Sequence, residues 1–274
     1  MNSRSIKALF RCASASLKAY FLSDLIRAKG AVFGLIGLGI WLIIFILPMT
    51  LFASATTDRS VIAAYMLSGI MVFSIYSIGT WDWGWEMRVL INYGIFEYVM
   101  VTGVHPLVIY LGLVPLSLIW ILVIIGIGYS VISAFVAVPK IIISNIPLFL
   151  LAFLLLIVVV LSYALILGTT TMLTGTSGMV VEIVSWILPM ATGGFVPLKL
   201  MPEPLRTIAL YTPFSYPAEV LRYSMGISET VMDPNLMFII GYAYALAFLG
   251  FGIVLYNYGL KKLLREGVKT VSAW

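Results

Sequence analysis

Along the 274-residue chain, polar positions are sparse and the apolar runs between them are long. A helix needs about 20 mostly apolar residues to cross the hydrocarbon core of a bilayer. Six stretches meet that length, near 31–53, 61–80, 106–133, 145–168, 178–197 and 236–257. They predict an all-α integral membrane protein with six transmembrane helices. Pro48, Pro115 and Pro189 fall within spans one, three and five. Kinks are expected there rather than breaks, because neighbouring helices can re-satisfy the freed backbone groups.

The pattern changes ahead of span one. Ile6, Leu9, Phe10, Ala13, Leu17, Phe21 and Leu25 recur at three- and four-residue spacing, while Arg4, Lys7, Arg11 and Lys18 lie largely off that stripe. Residues 1–30 therefore predict a helix lying in the membrane interface, its stripe in the acyl boundary and its cations among headgroups. The alternative is a helix packed on the protein's own loops.

Composition agrees with a lipid environment. Hydrophobic residues make up 62% and charged residues 10%, against about 45–50% and about 25% in soluble domains. Mean hydropathy is +1.11. The single cysteine, Cys12, excludes an intramolecular disulfide, and the single histidine, His105, removes most zinc and His-pair chemistry. No metal site is expected.

The net charge of +5 is explained by where the cations stand. Arg4, Lys7, Arg11, Lys18, Arg27 and Lys29 precede span one, Arg88 follows span two, and Lys261, Lys262, Arg265 and Lys269 lie in the 258–274 tail. The other side carries only Arg59, Lys140, Lys199, Arg206 and Arg222. By the positive-inside bias, both termini are cytoplasmic and the protein sits in the plasma membrane. Nucleic acid is not an expected partner.

Two segments exceed what a simple bundle requires. Residues 84–104 follow span two and predict a cytoplasmic amphipathic helix. Ile91, Ile95, Tyr98, Val99 and Thr102 form its apolar side, Glu86, Arg88 and Glu97 its exposed charge, and Trp81, Trp83 and Trp85 interfacial anchors. Residues 193–226, placed outside, hold Pro197, Pro202, Pro204, Pro213 and Pro217. Proline starts helices well but breaks their interiors. Two re-entrant half-helices are therefore expected over 203–226, beginning near Pro204 and Pro217. The pairs Glu203/Arg206 and Glu219/Arg222 are spaced to face each other on a helix. A gate and a bracing cap are both open readings.

These segments, in this order, carry a family resemblance over nearly the whole chain. Gly94, Ile95, Phe96, Glu97 and Tyr98 match the centre of a Glu-x-Gly-Thr-x-Glu-x-Leu signature, with Ile95 where threonine is usual, and Thr102 and Pro106 match its end. Gly194, Phe195, Val196, Pro197 and Pro202 match a second motif, which continues through Tyr211-Thr212-Pro213 to Glu219 and Arg222. The chain resembles the permease subunit of type-2 ATP-binding-cassette (ABC) exporters. That resemblance implies a coupling helix containing Glu86, Arg88, Gly94 and Glu97. It also implies an external gate with Pro197, Glu203, Arg206, Pro213, Glu219 and Arg222. A second permease chain, identical or related, and two copies of a cytosolic ABC ATPase would be the partners, beside membrane lipids.

The chain has no Gly-x-x-x-x-Gly-Lys-Ser/Thr phosphate loop. This subunit is therefore expected to bind no cofactor and to catalyse nothing itself, with ATP and Mg held by the ATPase. The substrate would be drug-like, lipid or glycan, the last in the form of a polysaccharide or lipid-linked glycan exporter. A rival of another class is a rhomboid-like intramembrane serine protease. It would use Ser177 of Gly175-Thr176-Ser177-Gly178 with His105 as base, although their order in the chain is reversed from that of rhomboids. Glu182, the one acid inside a span, is expected at the cytoplasmic mouth of a pathway, in a permease dimer seam, or snorkelling to the headgroups.

Overall fold

The computed structural model describes residues 3–26, 36–37, 40, 43, 58–174, 183, 187–189, 191–194 and 197–267. Spans one and five, and with them Ser177 and Glu182, lie largely outside the described residues. The described chain is all-helical.

Helix α1 (Ser3–Tyr20) runs into a π-helical turn, Phe21–Ile26. Helix α2 (Arg59–Ile78) continues through a second π-helical turn, Gly79–Trp83, into α3 (Glu86–Asn92). The short α4 (Ile95–Val101) follows. Then come α5 (Tyr110–Phe135), α6 (Ile146–Thr174), the short helices α7 (Glu203–Leu210) and α8 (Ser215–Ser224), and the long α9 (Pro234–Glu266).

Four stretches are long and apolar enough to cross a membrane: Arg59–Asn92, Pro106–Phe135, Ile146–Thr174 and Pro234–Glu266. They coincide with the second, third, fourth and sixth stretches of the sequence pattern, extended at their ends. Pro115 lies inside α5, which runs on past it.

Burial is uneven in the way a lipid-facing bundle requires. Helix α6 forms the centre, with Leu155, Leu156, Val159, Val160 and Ala164 fully buried, and it packs most extensively against α9. Ile239, Leu246 and Val254 of α9 and Leu122 of α5, by contrast, are 64–69% exposed. A water-soluble monomer rarely shows so many long apolar side chains over whole helices.

The end of the bundle bearing α1 is closed by a close helix approach. A Cβ at Gly112 would overlap Ser16 and lie 2.5 Å from the Leu17 backbone nitrogen. The Ser16 hydroxyl donates to the Ile109 carbonyl at 3.2 Å. Tyr20 turns the same way, while Phe10, Leu17 and Phe21 of the apolar stripe are 71%, 37% and 43% exposed. Arg11 and Lys18 are exposed too. The helix thus packs on the protein along one line and leaves its apolar stripe uncovered along another.

At the opposite end the 136–145 connection is held by backbone bonds. Lys140 N–H donates to Ser60 and Ile142 N–H to Met225, both at 3.0 Å. The Asp58 carboxylate caps α2 through Ser60 N–H, and Asp233 caps α9 through the N–H groups of Asn235 and Leu236.

Candidate functional site

At the α1 end, the segment after span two is two helices rather than one. Tyr93 ends α3, and Gly94 takes the left-handed conformation at φ +67° before α4 begins. That turn rotates α4 relative to α3, so Ile91, Ile95 and Val99 do not form the continuous stripe that the spacing predicts. Ile91 is buried, Ile95 is 43% exposed, and Phe96, at 4%, is the inward residue of α4. Tyr93, Glu97, Tyr98 and Val101 face outward, with Tyr98 at 77% and Val101 at 87% exposure.

The charges divide in a way local pattern does not show. Glu97 is exposed as expected. Glu86 and Arg88, expected in solvent, are instead 8% and 4% exposed. Tyr20 of α1 donates its phenolic hydrogen bond to Glu86 Oε1. The Arg88 guanidinium lies 4.2 Å from the Trp85 ring centroid, a cation–π contact. Both charges fall on the inner side because α3 continues α2 into the bundle rather than lying flat across its face.

Trp83 is a further correction, for it is fully buried and is no interfacial anchor. Its indole N–H donates to Ser117 Oγ at 2.9 Å, and its carbonyl accepts from the Tyr110 hydroxyl at 3.1 Å. The π-helical turn that places it passes close to α6, where a Cβ on Gly79 would overlap Val160. Trp81, 41% exposed and with its ring centroid 5.8 Å from that of Trp85, keeps a position suited to an interface.

The opposite end holds a buried polar centre. Arg222, on α8, is fully buried. Its Nε donates to Ser68 Oγ of α2 at 3.2 Å, Nη1 to the Gly193 carbonyl and Nη2 to that of Gly194. The Ser68 hydroxyl in turn donates a hydrogen bond to the Tyr65 carbonyl at 2.8 Å.

Glu219, one turn earlier on α8 and also fully buried, accepts from Leu198 N–H at 2.8 Å. Its Oε1 stands 3.9 Å from Arg222 Nη1, and its Oε2 has no hydrogen-bond partner among the described residues. Burial pushes the Glu219 carboxyl above its ordinary value, against the opposing pull of Leu198 N–H and Arg222. Burial also lowers the Arg222 guanidinium to about 10, with Glu219 acting in the other direction. Tyr76 of α2 adds a second tie by donating to the Phe214 carbonyl at 2.6 Å. The whole is a clamp holding α8, Gly193, Gly194, Leu198 and α2 together.

Other expected members of that segment stand apart from the clamp. Pro197 is buried and begins the short turn Leu198–Leu200 beside Glu219. Pro213 lies in the turn between α7 and α8. Glu203 and Arg206 share α7 but make no ion pair, and Glu203 is exposed. The exposed pair of this region, Lys199–Glu229 at 2.6 Å, has no signature at thirty residues' separation.

His105 sits at the start of α5's lead-in turn. Its Nδ1 accepts from Leu107 N–H at 3.3 Å, and its Nε2 faces Asn257 Oδ1 at 3.0 Å. That pairing places the proton on Nε2, and both ring nitrogens are engaged. Among the described residues, no group of three His, Cys, Asp or Glu side chains comes together as a metal site would require. No protein-family model matches the chain, and no curated protein matches it either.

Proposed function

We propose that the chain is the membrane-spanning permease subunit of an ATP-driven exporter of the type-2 ABC kind. In this reading it pairs with a second permease chain over two cytosolic ATPase subunits in the plasma membrane. Both termini face the cytoplasm, and the cargo is drug-like, lipid or glycan.

The observation that carries the reading is the exposed face of α4. Tyr98 and Val101 are among the most exposed large apolar side chains of the described residues, and Glu97 is exposed on the same helix. An apolar patch with one carboxylate, at the end of a bundle, suits docking to a soluble partner.

Helix continuity gives the docking a mechanical consequence. Helices α2 and α3 form one rod, Arg59–Asn92. Its α4 end lies about 36 Å from Ser68 along the axis, at 1.5 Å per residue. A push on α4 by an ATPase would travel along this rod to the clamp at Ser68 and Arg222. A bistable repacking of the spans around such a rod is the physical content of alternating access.

Purifying the chain in mild detergent from its native membrane tests this. A stoichiometric partner carrying a phosphate-loop ATPase sequence and hydrolysing ATP is expected. A chain that is isolated alone, under conditions that preserve its folded state, contradicts the proposal.

A further inference from the structure

A groove of about 1170 Å³ runs between α1, the junction of α2 and α3, α4 and α5. Helix α1 turns small side chains toward it: Ala15, Ser16, Ala19 and Ser23 line the near wall, where larger ones would fill the space. The floor is apolar. Ile78, Leu113 and Leu116 form it, at 8%, 5% and 1% exposure, and half-buried Ile124 continues it. Ile78 belongs to the membrane-crossing stretch Arg59–Asn92 and the other three to Pro106–Phe135, so the groove lies at bilayer depth.

The polar side chains of the walls are engaged within the protein. Ser16 donates to the Ile109 carbonyl at 3.2 Å, and Ser23 to that of Tyr20 at 3.1 Å. Ser117 accepts from the Trp83 indole at 2.9 Å and donates to the Leu113 carbonyl at 3.1 Å. Glu86 accepts from the Tyr20 hydroxyl, and Asp82, exposed at the rim, is engaged as well. Walls whose polar groups are satisfied internally favour an occupant that brings apolar contact, not charge or hydrogen bonds.

Length and position select among apolar occupants. From Ile109 to Ile124 the α5 wall covers about 22 Å, at 1.5 Å per residue. One leaflet of hydrocarbon is about 15 Å thick, half of a core of about 30 Å. Ile119 and Leu122, at 44% and 67% exposure, flank the lining residue Trp120, so the groove is continuous with the surface of α5 that meets the bilayer. A lipid chain entering from that surface supplies the dispersion contacts that an unfilled groove forfeits. Tyr93, 76% exposed just past the end of Arg59–Asn92, marks the headgroup end, whereas Ile124 lies well inside its stretch.

We propose that this groove holds a phospholipid of the surrounding bilayer. Its acyl chains lie along Leu113, Leu116 and Ile78 with their ends toward Ile124, and its headgroup lies toward Tyr93. The inference concerns this chain alone and does not rest on the exporter reading.

A photoreactive lipid tests it. The full chain is assembled in phosphatidylcholine nanodiscs containing a trace of phosphatidylcholine with a diazirine at the end of one acyl chain. After irradiation, labelled residues are mapped by peptide mass spectrometry. Label is expected on the floor, at Ile78, Leu116 and Ile124, and on Leu122, the bilayer-facing reference. Ala19→Trp fills the groove from the near wall, at an exposed position that can accept the larger ring. It should cut floor labelling at least about tenfold, equivalent to about 1.4 kcal/mol, and leave Leu122 labelled as in the wild type. Label on Leu122 with none on the floor means that protein, not lipid, covers the groove, and overturns the proposal. Equal floor labelling in wild type and Ala19→Trp overturns it too. Should that variant fail to fold, the wild-type pattern decides alone.

Discussion

Arg222 Nε donates to Ser68 Oγ at 3.2 Å across 154 residues of sequence. That bond ties the short helix α8 to the middle of α2. Arg222 is fully buried, and among the described residues its charge is answered by Ser68, two glycine carbonyls and the neighbouring Glu219. Removing one partner of a buried charge pair typically costs about 3–5 kcal/mol. Arg222→Met should therefore lower the thermal midpoint sharply in detergent, and a joint Arg222→Met and Glu219→Leu variant should recover part of the loss. A single substitution with no effect on melting would show that the clamp carries no stability.

Glu219 gives this clamp a pH dependence with a definite sign. Burial is the largest influence and raises its carboxyl above the ordinary 4.5. A raised folded-state value means that the proton is held more tightly in the folded protein. The stability linked to it is fully present below the unfolded value and is lost as pH rises through the folded one. Melting of the wild type measured against Glu219→Gln should therefore favour the wild type increasingly as pH is lowered toward 4.5. A difference that grows with rising pH would mean the ion pair with Arg222 dominates instead.

Gly79 tests the packing that buries Trp83. A Cβ there would overlap Val160 of α6, whereas a Cβ at Gly126 of α5 would meet nothing within 4 Å. Overpacking typically costs about 1–3 kcal/mol. Gly79→Ala should lose folded yield by size-exclusion chromatography, and Gly126→Ala should match the wild type. Equal behaviour of the two would place the α2–α6 contact elsewhere.

Long apolar stretches were legible because bilayer thickness fixes their length, and the prolines at 204 and 217 marked two short helices because a fixed φ and a missing N–H suit a helix's first turn. Glu219 and Arg222 were visible as a pair by their spacing. What the pair holds was not, since Ser68 and the carbonyls at 193 and 194 are tertiary neighbours with no periodic signal. Glu86 and Arg88 were misplaced into solvent because a charged residue beyond a span reads as exposed unless the helix is known to continue. The π-helical turn at Gly79–Trp83 makes that continuation and shifts the inward side. Gly94 was read as part of a motif, and only its positive φ shows that it divides the segment in two.

Orientation is open to chemistry at the native thiol. Cys12 is the only cysteine, and it lies half-buried on α1. With a cytoplasmic N-terminus, a membrane-impermeant maleimide should label it in inside-out vesicles and not in intact cells. Denatured protein, labelled in full, calibrates its reactivity. Labelling in intact cells would place α1 on the outer face.

The most direct measurement concerns Glu97 on α4. Reversing a charge at a docking face adds repulsion to the lost attraction, and a tenfold loss of affinity corresponds to about 1.4 kcal/mol. Glu97 is exposed, and among the described residues it makes no hydrogen bond or ion pair, so Glu97→Lys should insert and melt as the wild type does. Co-purification of the ATPase with wild type, Glu97→Lys and Tyr98→Ala chains, each at equal membrane abundance, gives the comparison. At least about tenfold less ATPase is expected with Glu97→Lys, with a clear loss for Tyr98→Ala and no transport by the former. Full ATPase association by both variants would contradict docking at α4.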